Sequence, residues 1–443
     1  MNKFFSGLKI HFIGVGGVSM SELLRLSFAL GASVSGSDKA FSSTFESLLL
    51  EGYDVYIGSN PQKATSADLV VFSSAVKKTD SELSVSCNKA LERFEFLGLL
   101  SNLFPKTLAV SGTHGKTTVT GMLANVFLKE KSSFTAHLGG KSLNFEGGLI
   151  INGDNLFITE ACEFRKSFLS LSPFTNLILN IEYDHPDCYP TVSDLYQTFS
   201  KLANKTKKGG FLILGEKVKE KIDILSYEHM NVCEYGNTFI MTNYKNFDSG
   251  CSFRLESDWG NINLEMPIKG YHNAYNGAMT AFTALTEKIS HNSIAEGLKT
   301  FKGISRRLEY LGDFKGGKII CDYAHHPTEI KYAIDAVKGE GKLNVIFEPH
   351  TFSRTAGLFK EFVEALSCAE RLFLLPTYAA RETAKEGKTA FELFKEISAK
   401  EKYYCDNYDI CIDLLKKTVK EKEILLVLGA GKINDLAYQL AKK

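Results

Sequence analysis

Short apolar runs alternate along the chain with glycine-rich or polar loops and with amphipathic stretches. In the first 105 residues, Leu8–Ile13 and Leu69–Ser73 are predicted strands, and another begins at Ser33–Ser35 and ends near Asp38. A helical pattern follows the first of these strands and ends at Gly31. Strands and helices that alternate at this spacing are typical of a parallel sheet flanked by helices.

The same alternation continues after Pro105 in a second block and, from about residue 313, in a third. In the second block we predict helices at Lys116–Lys129 and Asn273–Thr286, with a less periodic, antiparallel or irregular section between 216 and 268. Further apolar runs in these two blocks are predicted strands: Thr107–Val110, Leu156–Thr159, Asn176–Asn180, Phe211–Leu214, Lys318–Cys321, Leu343–Phe347, Arg371–Leu375 and Ile424–Leu428.

The length of 443 residues predicts about three domains at ~150 residues each, and we assign them to 1–105, 106–312 and 313–443. Lys+Arg (52) balances Asp+Glu (51), so no net charge attracts nucleic acid or a membrane surface. Nine cysteines without a CxxC pair are typical of reduced thiols. We find no signal peptide and no apolar run of ~20 residues, and therefore expect a cytoplasmic protein. The sequence leaves open whether it is a monomer or a weak dimer.

A candidate phosphate-binding loop connects a predicted strand to a predicted helix at Gly112-Thr113-His114-Gly115-Lys116-Thr117-Thr118. Glycines let backbone N–H groups approach an anion, and the helix N-terminus adds positive potential. Lys116 would reach the outer phosphates, and the Thr117 hydroxyl would coordinate Mg²⁺. Only two residues separate Gly112 from Gly115, whereas the usual P-loop has four. The alternative is a glycine-rich turn with a surface lysine.

A second glycine loop, Gly14-Val15-Gly16-Gly17-Val18-Ser19, follows the first strand, and Asp38 lies near the end of the next strand. This arrangement suggests that the loop binds a dinucleotide or a sugar nucleotide. Ser19 occupies the third glycine position of the dinucleotide motif, and Ser35-Gly36-Ser37 precedes the acid. Such a loop suits a pyrophosphate held by backbone amides, and a purely structural tight turn is the alternative.

Acids, histidines and arginines cluster just after predicted strands. In parallel α/β sheets, ligands gather at the carboxyl ends of strands, so Glu160 and His185 are candidate metal ligands beside Thr117. Adjacent histidines such as His325 and His326 do not share a face, so a two-histidine metal site there is not expected. Solitary loop residues of these types are more often solvated. Their shared position at strand ends favours a functional site.

Together these motifs resemble the Mur ligases of bacterial cell-wall synthesis, in order and over essentially the whole chain. The short loop Gly112–Thr118 is that family's variant of the P-loop. The other segments that carry the resemblance are His11–Met20, Ser35–Asp38, Phe72–Ala75, Asn180–His185, Tyr271–Asn273 with Asn276, Arg306-Arg307, Asp322–Glu329, Pro349–Thr355 and Leu428–Gly431. The resemblance implies a three-domain α/β architecture. Its N-terminal and C-terminal domains would be Rossmann-like, and its central domain P-loop ATPase-like.

The resemblance also implies an ATP-dependent ligase that joins L-alanine to UDP-N-acetylmuramate through an acyl phosphate, with Mg²⁺ or Mn²⁺. The implied catalytic residues are Lys116, Glu160, His185 and Arg307, and the metal would be held by Thr117, Glu160 and His185. The implied ATP site comprises Gly112, Thr113, His114, Gly115, Lys116, Thr117, Thr118, His272, Asn273, Asn276, Arg306, Arg307 and Asp322. Gly16, Gly17, Ser37, Asp38 and Ser74 would bind the UDP-sugar. Tyr323, His325, His350 and Arg354 would bind the amino acid.

Two positions depart from many Mur ligases. Thr351 follows His350 where an arginine is common, so the amino acid's carboxylate would rest mainly on Arg354. Cys162, Phe164 and Arg165 replace acidic and small residues after Glu160, and Arg165 could contact a substrate anion.

Three other functions fit parts of the sequence. A sister ligase would attach a ready-made tripeptide to the same sugar nucleotide, although that group usually lacks the Gly16-Gly17-x-Ser19-Met20 pattern. A nucleotide-dependent oxidoreductase would use the N-terminal loop but would leave Lys116 unexplained. A non-catalytic nucleotide switch would leave the strand-end acids, histidines and arginines without a purpose.

Overall fold

The computed structural model describes residues 2–145, 147–225, 227–339, 341–380, 382 and 389–441. It contains three sheet-based domains in chain order, as the alternating pattern predicts. No helix among these residues has the length and apolar character needed to cross a membrane.

The first domain is a five-stranded parallel sheet in the order β3-β2-β1-β4-β5. Its strands are β1 Lys9–Ile13, β2 Ser33–Asp38, β3 Asp54–Ile57, β4 Leu69–Phe72 and β5 Ala90–Glu92. Its helices are α1 Val18–Ala29, α2 Ser43–Leu50, α3 Pro61–Ser66, α4 Ser81–Ser84 and α5 Arg93–Leu103. The three predicted strands are confirmed. The short strands β3 and β5 were not predicted.

The central domain carries a seven-stranded sheet in the order β12-β11-β10-β6-β9-β7-β8, parallel except for the β7–β8 hairpin. Its strands are β6 Lys106–Ser111, β7 Thr135–Ser142, β8 Gly147–Ile151, β9 Leu156–Ala161, β10 Thr175–Ile178, β11 Phe211–Leu214 and β12 Asn231–Glu234. A separate antiparallel sheet comprises β13 Phe239–Phe247, β14 Gly250–Ser257 and β15 Ile262–Met266. Of the two alternatives predicted between 216 and 268, antiparallel or irregular, the structure shows the antiparallel one from Phe239 onward. The helices are α6 Lys116–Lys129, α7 Val192–Ala203, α8 Tyr271–Thr286 and α9 His291–Lys299.

The third domain has a six-stranded sheet in the order β16-β17-β21-β18-β19-β20, in which only β16 is antiparallel. Its strands are β16 Glu309–Phe314, β17 Gly317–Asp322, β18 Leu343–Phe347, β19 Arg371–Leu374, β20 Glu401–Tyr404 and β21 Ile424–Leu428. Its helices are α10 Pro327–Val337, α11 Phe352–Gly357, α12 Phe359–Ser367, α13 Ala390–Glu396, α14 Tyr408–Thr418 and α15 Ile433–Ala441. The sheet begins at Glu309, so β16 spans residue 313, where the third block was predicted to begin.

One apolar core runs from the first domain onto one face of the central sheet. Phe104, at the end of α5, stacks on Phe157 of β9 with ring centroids 4.9 Å apart. Burying a phenylalanine side chain contributes about 1.5–3 kcal/mol, so these rings help to fix the first domain on the central one. The other face of the central sheet packs on α6, α8 and the antiparallel sheet. The third sheet has its own core on each face.

Candidate active site between the central and third domains

The candidate phosphate loop lies at the carboxyl end of β6 and connects this strand to α6. Gly112 and Gly115 have φ values of +134° and +86°, in the region that favours glycine. A Cβ on Gly115 would lie 2.8 Å from the side-chain oxygen of Asn276. Helix α6 begins at the next residue, Lys116. The loop therefore presents its backbone amides and a helix N-terminus at one point, which is the geometry of an anion site.

The Lys116 ammonium lies over this loop. Its Nζ donates to the carbonyls of Gly112 (2.5 Å) and Thr113 (3.1 Å) and to the Glu163 carboxylate (2.9 Å). Burial alone would lower the pKa of Lys116, but the negative charge of Glu163, with a smaller contribution from Glu160, outweighs it and raises that pKa. The lysine is therefore a buried cation at neutral pH.

Thr117 and Glu160 form a hydroxyl–carboxylate pair beside the loop. The Thr117 Oγ1 donates to Glu160 Oε2 at 3.0 Å, and the Gly139 N–H donates to Glu160 Oε1 at 2.5 Å. Burial raises the pKa of Glu160. Hydroxyl and carboxylate oxygens are the ligands that Mg²⁺ prefers, so this pair fits the predicted metal.

His185, the third predicted metal ligand, lies next to different acids. Its Nε2 is 3.8 Å from Glu163 Oε1 and 3.6 Å from Asp184 Oδ2. The residue has φ +55°, which is uncommon for a side chain that is not glycine. The Phe164 ring lies 5.1 Å from the imidazole. The structure thus groups His185 with Glu163, and Thr117 with Glu160.

A cavity of about 320 Å³ adjoins the loop and lies between the central and third domains. Eight residues of the predicted ATP site line it: His114, Gly115, Thr118, His272, Asn273, Asn276, Arg307 and Asp322. The imidazole of His272 stacks on Tyr332 with centroids 5.3 Å apart. Burial lowers the pKa of His272 to about 4, so this ring is neutral. The cavity is large enough for part of a nucleotide and has an aromatic wall.

Arg306 and Arg307 diverge at the cavity. Arg307 lines it and donates from Nη1 to Glu329 at 3.4 Å. Arg306 turns away and donates from Nη2 to the carbonyls of Gly429 (2.7 Å) and Gly431 (3.2 Å). Arg306 therefore ties the chain to the glycine turn after β21, and Arg307 is the arginine that faces the cavity.

Asp322, at the end of β17, also borders the cavity. Its two oxygens accept the N–H groups of Leu308 (2.8 Å) and Ala324 (2.7 Å). Burial raises the pKa of Asp322 to about 6, although the nearby Arg307 opposes this effect. The carboxyl group is held rigidly at the edge of the third domain.

His114 connects the loop to the third domain. Its Nδ1 is 3.1 Å from Glu329 Oε1, and its Nε2 is 3.4 Å from Glu182 Oε2. Burial opposes protonation, but these two carboxylates raise the pKa of His114 to about 9. Among the described residues, His114, Glu182 and His326 form the group close enough to hold a metal ion, with ligand atoms within 4.8 Å of one another. His326 belongs to this group, and its neighbour His325 does not.

The four residues predicted for the amino acid lie together in the third domain. The rings of Tyr323 and His325 are 5.2 Å apart, and those of His325 and His350 are 5.9 Å apart. Arg354 Nη1 lies 3.2 Å from His350 Nδ1. Burial and the charge of Arg354 lower the pKa of His325 to about 3 and that of His350 to about 4. The pocket therefore offers neutral imidazoles beside one guanidinium.

Arg354 is already paired in this structure. Its Nε and Nη2 donate to the two oxygens of Asp184 at 2.8 and 3.2 Å. Both side chains are buried. Burial opposes the ionisation of Asp184, but Arg354 holds its pKa well below the usual range. This fork-shaped ion pair joins the central domain to the third.

The N-terminal glycine loop is closed by Asp38. The Gly16 N–H donates to Asp38 Oδ2 at 2.7 Å, and a Cβ on Gly16 would meet that oxygen at 2.9 Å. Gly17 precedes α1 without a side-chain cap. Ser74 is half-buried on the loop after β4, and its neighbour Ser73 lies 3.1 Å from where a Cβ on Gly14 would be. Ser37 differs from the prediction because its hydroxyl is buried and donates to the Glu82 carboxylate at 2.5 Å. In this structure the partner of the Ser37 hydroxyl is therefore a protein side chain.

Four residues of this region received no role from the sequence. Asp184 and Glu329 lie inside the motifs, and Glu163 follows Glu160 by three positions. The partners of Glu163, Asp184 and Glu329 are 47, 170 and 215 positions away along the chain. Tyr332 lies on α10, five positions after Pro327. The sequence feature that could have identified them is their position just after a strand or in the first turns of the following helix.

Comparison with known proteins shows which family this fold and these motifs belong to. Mur ligase models match residues 9–104 (Mur ligase family, catalytic domain), 110–285 (Mur ligase middle domain) and 306–431 (Mur ligase, glutamate ligase domain). The UDP-N-acetylmuramate–L-alanine ligase of Clostridium acetobutylicum is 36% identical, with 98% of both chains covered. A UDP-N-acetylmuramate–alanine ligase from Thermotoga maritima (TM-score 0.79, 23% identity) and a murein peptide ligase from Psychrobacter arcticus (TM-score 0.72, 20% identity) share the fold, each with 98% of both chains covered.

The fold and the site define a three-domain α/β protein whose strand–loop–helix anion site adjoins a cavity bounded by the third domain. The chain belongs to the Mur ligase family.

Proposed function

We propose that this protein is an ATP-dependent ligase that joins L-alanine to the lactyl carboxylate of UDP-N-acetylmuramate in peptidoglycan precursor synthesis. The observation that carries the proposal is the Lys116 loop, which lies beside the Thr117–Glu160 pair and opens on the cavity shared with the third domain. Family membership and the full-length match to the Clostridium acetobutylicum ligase favour these substrates.

The chemistry begins from a carboxylate, which is a poor acyl donor because oxide would have to leave. Transfer of the ATP γ-phosphoryl group gives an acyl phosphate and ADP, and the alanine amine then displaces phosphate through a tetrahedral intermediate. Lys116 and Arg307 neutralise charge that develops on the phosphoryl oxygens. The protein's contribution is mainly positioning and electrostatic stabilisation.

The proposed nucleotide position runs from the cavity to the loop. The aromatic wall of His272 and Tyr332 would hold the adenine, with Asn273 and Asn276 on the phosphate side. Asp322, fixed by two backbone N–H groups, would accept from the ribose. The backbone amides of Gly112–Thr118 would receive the phosphates.

Thr117 and Glu160 would hold Mg²⁺, since they place a hydroxyl and a carboxylate oxygen 3.0 Å apart beside the loop. The metal, when bound, neutralises phosphate charge. His185 lies at the same edge, next to Glu163, and completes the proposed set.

The two remaining substrates would bind to different domains. The UDP-sugar would rest on the loop Gly16–Gly17 with Asp38 and Ser74 at its rim. The amino acid would enter the pocket of Tyr323, His325, His350 and Arg354, where the guanidinium recognises its carboxylate. Because Asp184 accepts from Nε and Nη2 along one edge of the Arg354 guanidinium, alanine must bind the remaining nitrogen or displace that acid.

The test is release of ADP by purified protein with Mg-ATP and UDP-N-acetylmuramate, supplied with either L-alanine or the tripeptide in separate reactions. We expect release with L-alanine, and a Lys116→Ala variant should lower the rate about 10²–10³-fold because one charge-stabilising donor is lost. Lys106→Ala is the matched control, because Lys106 pairs with Glu287 at the opposite end of β6. Release with the tripeptide alone would exclude alanine as the substrate. Full activity of Lys116→Ala would exclude the loop as the phosphate site.

A further inference from the structure

A buried carboxylate, Glu163, faces the phosphate loop and has no part in the proposed chemistry. Its side chain is 3% exposed, and its oxygens lie 2.9 and 3.2 Å from Lys116 Nζ. A buried charge of this kind is costly unless it is paired. Its place beside the lysine that would bind ATP therefore needs an explanation.

The Lys116 ammonium has three donors, and the structure gives each a partner. Two donate to the loop carbonyls of Gly112 and Thr113, and the third donates to Glu163. A nucleotide phosphate can reach this ammonium only by replacing one of these acceptors. Glu163 is the one of these acceptors that, like a phosphate, presents negatively charged oxygen atoms to the ammonium.

The backbone holds Glu163 in a fixed position. Its carbonyl accepts from the Lys166 N–H at 2.8 Å and from the Tyr189 hydroxyl. Arg165 and Lys166, which follow it, have φ values of +53° and +58°. Two consecutive residues with side chains rarely adopt this conformation, and such strain is concentrated at functional sites.

The first domain braces the same turn. Arg165 Nη1 donates to Glu92 Oε1 at 3.1 Å, and the Ser170 hydroxyl donates to the Phe94 carbonyl at 2.8 Å. Glu92 and Phe94 lie at the start of α5. The turn that carries Glu163 is thus fixed from the central and first domains together.

We propose that Glu163 is a positioning residue that holds the Lys116 ammonium over the phosphate loop in the nucleotide-free protein, and that the ATP phosphates replace Glu163 as the partner of Lys116 on binding. His185 Nε2, 3.8 Å from Glu163 Oε1, is the polar neighbour that the carboxylate keeps after the exchange. The inference rests on the proposed function, since it requires ATP in this loop.

The exchange predicts an effect that a purely structural residue would not show. In Glu163→Gln the competing negative charge is removed. ATP then binds without displacing a carboxylate from Lys116, and no carboxylate repels the phosphates. We expect metal-free ATP to bind about tenfold more tightly, which corresponds to one charge-assisted hydrogen bond. We expect kcat to fall, because Lys116 is less well placed, so that affinity and turnover change in opposite directions.

The experiment is calorimetric titration with ATP in excess EDTA and, separately, with Mg-ATP, followed by kinetics with Mg-ATP and all substrates. Glu163→Asp keeps the charge on a shorter side chain, and we expect it to bind ATP about threefold more tightly than the wild type. Should Glu163→Gln not fold, this variant decides the question. Glu287→Gln is the control, because the Glu287 side chain is 7% exposed and pairs with a lysine, Lys106, in the same domain but away from the phosphate loop. The Thr175 hydroxyl, which also donates to Glu287, keeps an acceptor in this variant, so we expect it to bind ATP as the wild type does.

If the wild type binds metal-free ATP and the Glu163 variants bind it equally or more weakly, the inference about Glu163 is overturned. The proposed function is not affected by that result. Weaker binding of Mg-ATP combined with unchanged binding of metal-free ATP would assign Glu163 to the metal instead, and would also overturn it. A wild-type protein that binds neither form of ATP would count against the proposed function itself.

Discussion

At the scale of single residues, the buried ion pair Asp184–Arg354 is a contact in which the loss of either side chain would leave the other as an unpaired buried charge. Both side chains are buried, and Arg354 has two hydrogen bonds to the carboxylate. Removing one member of a buried pair leaves an uncompensated charge and costs about 3–5 kcal/mol. We therefore expect Asp184→Asn to lower the free energy of unfolding at pH 7 by about that amount, measured by urea denaturation.

The same pair predicts a pH dependence with a definite sign. Arg354 lowers the pKa of Asp184 in the folded protein, so the carboxylate stabilises the fold above its unfolded pKa of about 3.9. The difference between wild type and Asp184→Asn should be constant above about pH 5 and should shrink as the pH falls below about 4. Asp54→Asn, which breaks an exposed pair with Lys63, should cost no more than about 1 kcal/mol. A small, pH-independent effect of Asp184→Asn would contradict the pairing.

Single residues also show which parts of the site could be predicted from sequence patterns. Lys116, Thr117 and Gly115 were predictable because their chemistry lies within one loop. The Glu163–Lys116 and Asp184–Arg354 pairs were not predictable, because each depends on how distant strand ends meet. Ser37 illustrates the reverse case. Its place near a glycine loop suggested a ligand, but the partner that occupies its hydroxyl comes from a helix 45 residues later.

At the scale of elements, the junction of β6, the phosphate loop and α6 depends on one conformation of Gly115. This residue has φ +86°, and a Cβ there would approach Asn276 of α8 to 2.8 Å. Gly115→Ala should therefore destabilise the protein by about 1–3 kcal/mol and weaken ATP binding, as measured by denaturation and calorimetry.

The control for this change is Gly236→Ala. Gly236 has φ +92°, but a Cβ there has nothing within 4 Å. It should show the backbone strain without the steric contact and should leave ATP binding intact. Equal ATP affinities for the two variants would mean that the position next to Asn276 has no special importance.

Strands differ in how well they can be predicted from the sequence. Buried apolar runs such as β11, β18 and β21 were found with the bounds that the structure shows. The edge strand β16 was missed because its side chains are mostly half-exposed and it lacks an apolar run. The β7–β8 hairpin was missed for a related reason, since polar and glycine residues interrupt β7. Pairing with a neighbour, more than local preference, makes these strands.

At the scale of the whole molecule, contacts between the central and third domains surround the proposed ATP site. His114 reaches Glu329, Thr328 donates to Glu182 at 2.6 Å, and Arg354 meets Asp184. The order of the three domains was predictable from the repeated strand–helix pattern. Their mutual positions were not, because they depend on these contacts between distant segments.

The most direct test of the proposed ligase reaction follows the oxygen atoms of the acceptor. UDP-N-acetylmuramate labelled with ¹⁸O in its lactyl carboxylate is incubated with the protein, Mg-ATP and L-alanine, and the released phosphate is analysed by mass spectrometry. An acyl phosphate route predicts one ¹⁸O in each phosphate and one in the new amide. Unlabelled phosphate, or release of phosphate without amide formation, would contradict it.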